Sequence, residues 1–414
     1  MKILLFHPWL KSKGGAERVV YEYYRRSKHK IKILTWNYIK EKTYDFKEKD
    51  VVSLYDKKYE RIFREYLIRG GFSLLNLLIK YEINDFDLLL ISTGGIAELI
   101  LSYQDFNMPK VTYTHTILRA AYKYDIYWNI RYRFRKYYFL PYKVALNVYN
   151  YLERKAWKKI DFAIFNSELS RRRALDKNLI DKEKTDVIYP GADLSNFYND
   201  NPENYFLYVA RIGLSKRQDI LIKAFAKFIK KYPEYKLYLV GNVENKKYYL
   251  EILKLIKKYN LQNNVKLYQN LSDEKLRELY SKSLACIYVP YMEDFGIVPL
   301  ESLAAGKYLI NAYPSGNYEL LKNAPGIYWI RERFYEESMI NEIYNSLEYF
   351  VKNKDELIEK GKENINYIKN IDMSWNSFTK KLDEKLDEIK NNENKLNWYK
   401  NLKLRILNKI YLCI

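Results

Sequence analysis

The sequence is poor in the residues that build disulfide frameworks and metal centres. It contains two cysteines, Cys286 and Cys413, and three histidines among 414 residues. Two cysteines are too few for a disulfide scaffold or a cysteine-built zinc site, and such usage is typical of a reducing cytosol. Three histidines argue against a multi-histidine metal centre. We therefore expect a cytoplasmic protein that works without a bound metal.

Long apolar runs are also missing. No stretch approaches the roughly 18 consecutive apolar residues that a membrane-spanning helix needs. The early apolar run Ile3–Phe6 is too short for the core of a signal peptide, and His7 and Pro8 follow it where small residues would be expected. We expect a protein that can lie on a membrane face but does not cross the bilayer.

Positive charge is abundant. The chain has 72 Lys and Arg against 51 Asp and Glu, which gives a formal net charge of +21. Such a charge favours polyanionic partners, and nucleic acid, an anionic membrane and phosphorylated ligands all qualify. Hydrophobic residues make up 48% of the chain, which is typical of a globular protein and excludes global disorder.

Short apolar runs alternate with longer helical patterns in two series, which predicts two doubly wound α/β domains. Because the runs do not alternate with polar residues, they are typical of parallel strands covered on both faces. The predicted strands are Ile3–Phe6, Ile31–Thr35, Leu88–Ser92, Val111–Thr114, Phe162–Asn166, Tyr205–Ala210, Lys236–Gly241, Val265–Tyr268, Ala285–Val289 and Tyr308–Ala312.

The polar segment Asn196–Asn204 separates the two series and has the character of a linker. We therefore predict an N-terminal Rossmann-like domain over residues 1–197 and a C-terminal one over 198–372, facing one central cleft. Residues 373–414 are predicted to form a last helix, crossing back to the first domain, and a basic amphipathic tail.

Two glutamates eight residues apart form the strongest motif, Glu293-Asp-Phe-Gly-Ile-Val-Pro-Leu-Glu301. The motif follows a predicted strand, and a helix is predicted to begin near Gly296. The backbone N–H groups of Gly296, Ile297 and Val298 would then lie at a helix N-terminus, where phosphate binds well. The alternative is a helix whose acidic first turn merely complements its own dipole.

Arg211 and Lys216 follow the first strand of the second series and precede a helix. Open α/β sheets bind ligands outside the carboxyl ends of their strands, and guanidinium and ammonium groups there suit a pyrophosphate. An ordinary solvated loop is the alternative in so lysine-rich a chain.

Two further candidates, Gly14-Gly15 and His115, follow predicted strands of the first series. The two glycines follow the first strand and would let the backbone approach a ligand closely, although an ordinary tight turn explains them equally well. His115 follows the strand Val111–Thr114. That position makes a functional role a candidate, beside the structural role that is more usual for a lone histidine.

Two segments combine basic and apolar residues. Arg119–Lys159 carries eleven Lys or Arg and only two acidic residues, with Tyr and Trp interleaved. Leu396–Ile414 has the pattern of a basic amphipathic helix. Both are candidates for contact with an anionic membrane, and both are equally compatible with solvated surface over packed helices.

Taken together, the motifs resemble those of the retaining glycosyltransferases of family four, which have the GT-B fold. The Glu293 to Glu301 motif is similar to the family's Glu-x7-Glu, and Arg211 and Lys216 are similar to its donor-phosphate pair. The resemblance runs along nearly the whole chain. Its other elements are Gly14-Gly15-Ala-Glu17, Ile164-Phe-Asn-Ser167, Val187-Ile-Tyr-Pro-Gly-Ala-Asp193, Leu239-Val-Gly241, Asn264-Val-Lys-Leu267 and Leu271-Ser-Asp-Glu-Lys-Leu276.

The resemblance implies roles for individual residues. It implies that His115, Glu293, Arg211 and Lys216 act in catalysis, and that Glu293 and Glu301 hold sugar and ribose hydroxyls. It also implies retention of configuration, by front-face attack or with Glu293 as a covalent nucleophile, without a cofactor. The implied donor-binding residues are Gly14, Gly15, Arg211, Lys216, Glu293, Phe295, Gly296, Ile297, Val298 and Glu301.

A narrower likeness concerns the substrate. Tyr113-Thr-His-Thr116 with Arg119, and Lys216-Arg217-Gln-Asp219, resemble the mannosyltransferases of O-antigen-type polysaccharide biosynthesis. This implies GDP-mannose as donor and a glycan or lipid-linked acceptor. Ile117 and the segment Gly316–Glu319 depart from that branch, so a UDP-sugar donor, as in a glucosyl or GlcNAc transferase, stays open. A nucleic-acid-binding protein that exploits the net charge is the alternative of a different class, and an isomerase or phosphorylase of the same fold is a third.

Overall fold

The computed structural model describes residues 1–53, 85–121, 139–333 and 335–392. The described residues form two compact units. Unit 1 comprises the residues up to Gly191 together with those from Trp375 onward, and unit 2 comprises Ala192–Ser374. Each unit is an α/β layer structure with its own core.

Fifteen strands lie in the described ranges. They are β1 (Lys2–Phe6), β2 (Trp9–Leu10), β3 (Lys30–Thr35), β4 (Asn37–Tyr38), β5 (Val51–Ser53), β6 (Leu88–Thr93), β7 (Lys110–Thr114), β8 (Phe162–Phe165), β9 (Thr185–Val187), β10 (Tyr205–Val209), β11 (Lys236–Val240), β12 (Val265–Tyr268), β13 (Ala285–Tyr288), β14 (Tyr308–Tyr313) and β15 (Ile327–Arg331).

Eleven α-helices accompany them in the same ranges. They are α1 (Gly15–Arg26), α2 (Phe139–Trp157), α3 (Glu168–Leu175), α4 (Gln218–Phe228), α5 (Lys246–Lys258), α6 (Asp273–Lys282), α7 (Val298–Ala304), α8 (Tyr318–Leu321), α9 (Glu336–Lys352), α10 (Lys354–Lys369) and α11 (375–392).

Unit 1 is built on a parallel seven-stranded sheet in the order β5-β3-β1-β6-β7-β8-β9. Side chains of successive strand residues point to opposite faces. Accordingly, Leu4 and Phe6 of β1 join one apolar cluster and Ile3 and Leu5 join another. The two clusters cover the two faces of the sheet, which is why these strands read as unbroken apolar runs.

Helix α11 belongs to the second of these clusters. Its residues Trp375, Phe378, Leu382 and Leu386 pack there with apolar residues of α1. Polar contacts fix the same interface, because the buried carboxylate of Asp383 accepts hydrogen bonds from Tyr23 Oη (2.8 Å), Ser27 Oγ (2.7 Å) and the backbone N–H of Lys28 (3.0 Å). Burial, with the Asp383 charge beside it, raises the pKa of Tyr23, so this hydroxyl stays a donor.

Unit 2 is built on a parallel six-stranded sheet in the order β12-β11-β10-β13-β14-β15. Ranked along the chain this is the order 3-2-1-4-5-6 of a Rossmann sheet. Its apolar core includes Phe206 and Tyr208 of β10, Phe225 of α4 and Phe350 of α9. Helix α4 also carries the loop of Lys216 at its N-terminal end.

All ten predicted strands are present, and no end differs by more than one residue. The predicted α/β class is therefore confirmed. Five strands were not predicted. Strands β2, β4, β5 and β9 have three residues or fewer, too few for a recognisable apolar run, and the five-residue edge strand β15 was missed although it carries one. The helix predicted to begin near Gly296 begins instead at Val298, and Pro299 occupies its first turn.

Within the described ranges, no helix is long and apolar enough to cross a bilayer. The predicted basic tail Leu396–Ile414 and residues 122–138 of the predicted basic segment lie outside the described residues.

We expect Asp383→Ala to lower the free energy of unfolding by about 3 kcal/mol, because three donors lose one buried acceptor. The exposed Glu384 on the same helix is the matched control, and Glu384→Ala should change stability by less than about 0.5 kcal/mol. Urea denaturation followed by circular dichroism measures both. Equal stabilities for the two variants would contradict the role given to Asp383.

Candidate active site

In each sheet the strand order reverses once, between β1 and β6 in unit 1 and between β10 and β13 in unit 2. The loops that leave two such neighbouring strands run to opposite faces of the sheet and open a crevice at its carboxyl edge. Arg211 and Lys216 follow β10, and Glu293 follows β13. The predicted residues of unit 2 thus come from the two loops at this reversal.

Lys216 and Glu293 form an ion pair across these loops. Lys216 Nζ lies 2.5 Å from Glu293 Oε2, and the two side chains are only 12% and 19% exposed. The ammonium also lies 5.9 Å from the centroid of the Tyr288 ring. Because Glu293 already neutralises Lys216, an incoming phosphate would share this ammonium with the carboxylate.

Tyr288, the last residue of β13, is the common neighbour of the predicted site residues. Burial raises the pKa of its hydroxyl, and the charges of Glu293 and Glu301 raise it further while Arg211 opposes them. The hydroxyl therefore remains protonated and can donate a hydrogen bond. The sequence analysis did not select Tyr288, because a tyrosine at a strand end is unremarkable in a chain with 44 of them.

Gly296 has a structural reason to be glycine. Its φ of +77° lies in the left-handed region that other residues rarely adopt. A Cβ atom there would also stand 2.9 Å from Tyr288 Cε1. Among the described residues, the backbone N–H groups of Gly296, Ile297 and Val298 donate no hydrogen bond to the protein. They are therefore available to an anionic ligand.

Glu301 lies in the first turn of α7, as the sequence predicted. Its carboxylate accepts a hydrogen bond of 2.7 Å from Tyr280 Oη. Burial, with the Glu301 charge beside it, raises the pKa of Tyr280, so the hydroxyl keeps its proton. This hydrogen bond orients the carboxylate, and carboxylate oxygens accept hydrogen bonds from the hydroxyl groups of ligands.

A loop after β14 fixes the backbone that carries Glu293 and Phe295. The fully buried Asn317 donates through Nδ2 to the Phe295 carbonyl at 2.7 Å. Its Oδ1 accepts hydrogen bonds from Asn311 Nδ2 (3.0 Å) and Ser315 Oγ (2.9 Å). Gly316 N–H donates to the Glu293 carbonyl at 2.8 Å. This segment departs from the mannosyltransferase pattern, yet it supports the predicted motif directly.

Arg211 and Lys216 do not share one carboxylate. The Arg211 side chain is 67% exposed, and its guanidinium lies 3.6 Å from Glu244. Its pairing is therefore weak and easily exchanged for another anion.

Arg217 clamps the loop that carries Lys216. Its backbone is left-handed (φ 56°, ψ 33°), and its side chain is 4% exposed. The guanidinium binds both oxygens of Glu332, at 2.7 Å and 2.6 Å, and lies 4.6 Å from the Tyr291 ring centroid. Tyr291 N–H in turn donates to the Ser215 carbonyl at 2.8 Å. Arg217 was noted in the sequence only as part of the family resemblance, and its ion pair with Glu332 was not predicted.

In unit 1, Gly14 and Gly15 begin α1, as predicted. A Cβ atom on Gly14 would stand 2.3 Å from Glu17 Oε2, whereas one on Gly15 would meet no atom within 4 Å. The carboxylate of Glu17 therefore occupies the space beside Gly14. The backbone at Gly15 is open to approach.

His115 follows β7 and belongs to a hydrogen-bonded chain of side chains. Its Nε2 lies 2.9 Å from Ser92 Oγ, which lies 3.0 Å from Nδ1 of the buried His7. Burial, with His115 nearby, lowers the pKa of His7 to about 3. Neither His7 nor Ser92 was selected from the sequence.

Among the residues that the structure describes, no group of three or more His, Cys, Asp or Glu side chains is arranged to hold a metal ion. Cys286 is a buried free thiol, and burial raises its pKa to about 11. A thiol with that pKa is a poor nucleophile at neutral pH.

Two family models match consecutive parts of the chain. The model described as Glycosyltransferase Family 4 matches residues 13–196, and that described as Glycosyl transferases group 1 matches residues 195–367. The chain belongs to the group 1 glycosyltransferases. Between them the two models cover the loops just described. The first includes Gly14 and His115, and the second includes Arg211, Lys216, Glu293 and Glu301.

Curated relatives match more locally. The chain is 31% identical over 147 residues to the O-antigen chain mannosyltransferase RfbU of Salmonella typhimurium, which covers 35% of this chain and 40% of the relative. It is 26% identical over 137 residues to a GDP-Man:Man(3)GlcNAc(2)-PP-Dol alpha-1,2-mannosyltransferase of Dictyostelium discoideum, which covers 29% and 27% respectively. The chain thus spans 40% or less of the length of these relatives.

Solved structures match over nearly the whole chain. Sucrose-phosphate synthase of Thermosynechococcus elongatus matches with a TM-score of 0.71 at 17% identity and covers 94% of this chain and 99% of its own. Anabaena Alr3699/HepE, solved in complex with UDP and glucose, matches with a TM-score of 0.67 at 18% identity over the same shares. At these identities the likeness shows the fold, and the predicted GT-B class of this glycosyltransferase is confirmed.

We expect Arg217→Ala to lower the free energy of unfolding by about 3 kcal/mol, because it leaves Glu332 without its buried partner. Arg217→Gly should lower the free energy of unfolding by about 1 kcal/mol less than Arg217→Ala does, because glycine adopts the left-handed backbone without strain. Urea denaturation of both variants measures the difference. A glycine variant no more stable than the alanine variant would show that the backbone at this position is not strained.

Proposed function

We propose that this protein is a retaining hexosyltransferase. It would move a hexose, with mannose as the expected one, from a nucleoside-diphosphate sugar to a glycan or lipid-linked acceptor. The observation that carries the proposal is the group formed by Lys216, Glu293 and the unbonded N–H groups of residues 296–298 at the strand reversal of unit 2. The family membership and the mannosyltransferase relatives support it.

The leaving nucleoside diphosphate gains negative charge as the sugar departs. Lys216, Arg211 and the three N–H groups would stabilise that charge, and each well-placed donor commonly lowers the barrier by about 3 kcal/mol. These groups supply positive charge from the protein itself, so the proposed chemistry needs neither a metal nor another cofactor. Glu301, oriented by Tyr280, would hold ribose hydroxyls.

Glu293 would hold the sugar in place without attacking it. Its carboxylate is engaged by Lys216 at 2.5 Å, which opposes a role as free nucleophile and favours front-face retention. Contacts of the donor with Gly14, Gly15 and His115 stay proposals that rest on the family resemblance.

The donor is the first point to test. We expect GDP-mannose to be bound and cleaved in preference to UDP-glucose and UDP-GlcNAc, as measured by nucleotide release from the purified full chain. Preference for a UDP-sugar would replace mannose by another hexose, and it would agree with the UDP bound to Anabaena HepE. If no sugar nucleotide binds or is cleaved, the proposed function fails.

We expect Lys216→Ala and Glu301→Ala to lower the rate of nucleotide release about 100-fold or more, because each removes a group held at the proposed donor. Lys254→Ala and Glu251→Ala, on the outward side of α5, carry the same charge changes away from the strand reversal and are the matched controls. Turnover unchanged in both site variants would refute the site. EDTA should leave the wild-type rate unchanged.

A membrane contact is the second part of the proposal. Helix α2 exposes Val144 (56%), Val148 (49%) and Tyr151 (69%), whose spacing places them on one side of the helix. The exposed Arg154, Lys155 and Lys158 follow in the next turn. Apolar side chains beside basic ones are typical of a helix that lies in the interface of an anionic bilayer.

We expect the double variant Val148→Gln with Tyr151→Gln to bind anionic vesicles about 10-fold more weakly, because two apolar side chains leave the bilayer interface. Leu250→Gln with Tyr349→Gln removes apolar side chains of similar exposure in unit 2 and is the control. Co-sedimentation measures binding. Equal affinity of both double variants would refute the role of α2, and deletion of residues 396–414 tests the predicted tail separately.

A further inference from the structure

Three polar side chains form a continuous chain along the carboxyl edge of the unit 1 sheet. His7 follows β1, Ser92 lies in β6, and His115 follows β7. The register of β1 on β6 pairs Phe6 with Ile91, so His7 and Ser92 come next and lie side by side. The His7 Nδ1 to Ser92 Oγ distance is 3.0 Å, and the Ser92 Oγ to His115 Nε2 distance is 2.9 Å.

The number of protons in this hydrogen-bonded chain of side chains limits the tautomers that the two histidines can adopt together. The Ser92 hydroxyl has one proton and two lone pairs, and among the described residues Oγ has hydrogen-bond partners only in the two imidazoles. To use its proton it therefore donates to one imidazole, and it accepts from the other. If it donates to His7 Nδ1, it accepts from His115 Nε2–H, and both histidines carry their proton on Nε2. In the reverse arrangement, His7 donates through Nδ1–H to Ser92, and Ser92 donates to His115 Nε2. Both histidines then carry their proton on Nδ1.

We propose that Ser92 is a positioning residue that gives His7 and His115 the same tautomer and so determines whether His115 presents a donor or an acceptor at Nδ1. The role of that choice in sugar transfer rests on the proposed function. The coupling itself rests on the two distances and on the single serine proton.

The environment of His7, at one end of this hydrogen-bonded chain, keeps its imidazole neutral. The side chain is buried, and its pKa of about 3 keeps it neutral at physiological pH. The backbone carbonyls of Ser92 and Trp9 oppose that lowering of the pKa, but burial outweighs them. His7 therefore contributes one ring proton under all conditions in which the enzyme would work.

His115 is held in place around this hydrogen bond. Its backbone N–H donates to the Thr93 carbonyl at 2.8 Å, and its carbonyl accepts from Ser170 Oγ at 3.2 Å. The Tyr113 ring packs edge-on against the imidazole at 5.2 Å between centroids. These contacts fix the backbone and the ring of His115 beside Ser92.

Nitrogen-15 NMR of the imidazoles in the full chain tests the proposal directly. The chain has only three histidines, so His29→Gln and His115→Gln assign all the signals. The measurement is made at about pH 8, where an ordinary imidazole is neutral. We expect His7 and His115 to show the same tautomer. Opposite tautomers in the wild-type protein overturn the proposal, whatever the variants do.

Variants at Ser92 supply the second arm. Ser92→Ala should shift the His115 nitrogen signals toward a mixture of tautomers, and Ser92→Thr, which keeps the hydroxyl, should restore the wild-type pattern. Unchanged His115 signals in Ser92→Ala overturn the coupling. If the alanine variant does not fold, the wild-type comparison decides alone.

A kinetic measurement connects the coupling to the proposed function. Ser92→Ala should lower kcat for nucleotide release about 10-fold, with the KM for the donor little changed, because the groups proposed to bind its diphosphate are intact. Ser92→Thr should recover most of the rate. An unchanged kcat in Ser92→Ala overturns the proposed effect of Ser92 on sugar transfer, while the NMR result still decides whether the two tautomers are coupled. If the wild-type protein shows no turnover at all, the proposed function fails and the coupling is judged by NMR.

Discussion

Parallel strands cannot be joined by tight turns, so every connection in both sheets has to cross a face of the sheet. Where successive connections change face, the strand order reverses and the loops at the carboxyl edge separate. In unit 2 the two loops at this reversal bring Lys216 and Glu293 together although they are 77 positions apart in the sequence. In unit 1 the corresponding strands bring His7 beside Ser92. The polar chemistry of each unit depends on this one topological constraint.

Charge in unit 2 is organised in pairs of different strength. Arg217 is buried, and its guanidinium binds both oxygens of the partly buried Glu332 beside a left-handed backbone. Lys216 and Glu293 are nearly buried, whereas Arg211 is mostly exposed beside Glu244. The graded exposure separates a structural pair from cations that can exchange partners for a ligand. The net charge of +21 said nothing about this arrangement, because pairing depends on position and not on composition.

The fold could be predicted well from the sequence because a sheet covered on both faces demands unbroken apolar runs. Those runs marked the central strands of both sheets and the edge strand β12, whereas a three-residue edge strand such as β9, with Thr185 and Asp186, is too short to show such a run. Within the site, residue types at strand ends indicated Arg211, Lys216, Glu293 and His115. Their partners could not be predicted, because the Lys216 pairing, the Asn317 bridge and the left-handed Arg217 arise from contacts between distant segments.

The place of α11 has a consequence for synthesis of the chain on the ribosome. Its apolar residues, from Trp375 to Leu386, complete the core that α1 and the unit 1 sheet begin some 350 residues earlier. Unit 2 lies entirely between these two parts. The first unit to be translated therefore cannot finish folding until the second has left the ribosome, and its uncovered apolar face must be protected from aggregation during that interval. In this glycosyltransferase the middle of the sequence can therefore complete its fold before the beginning does.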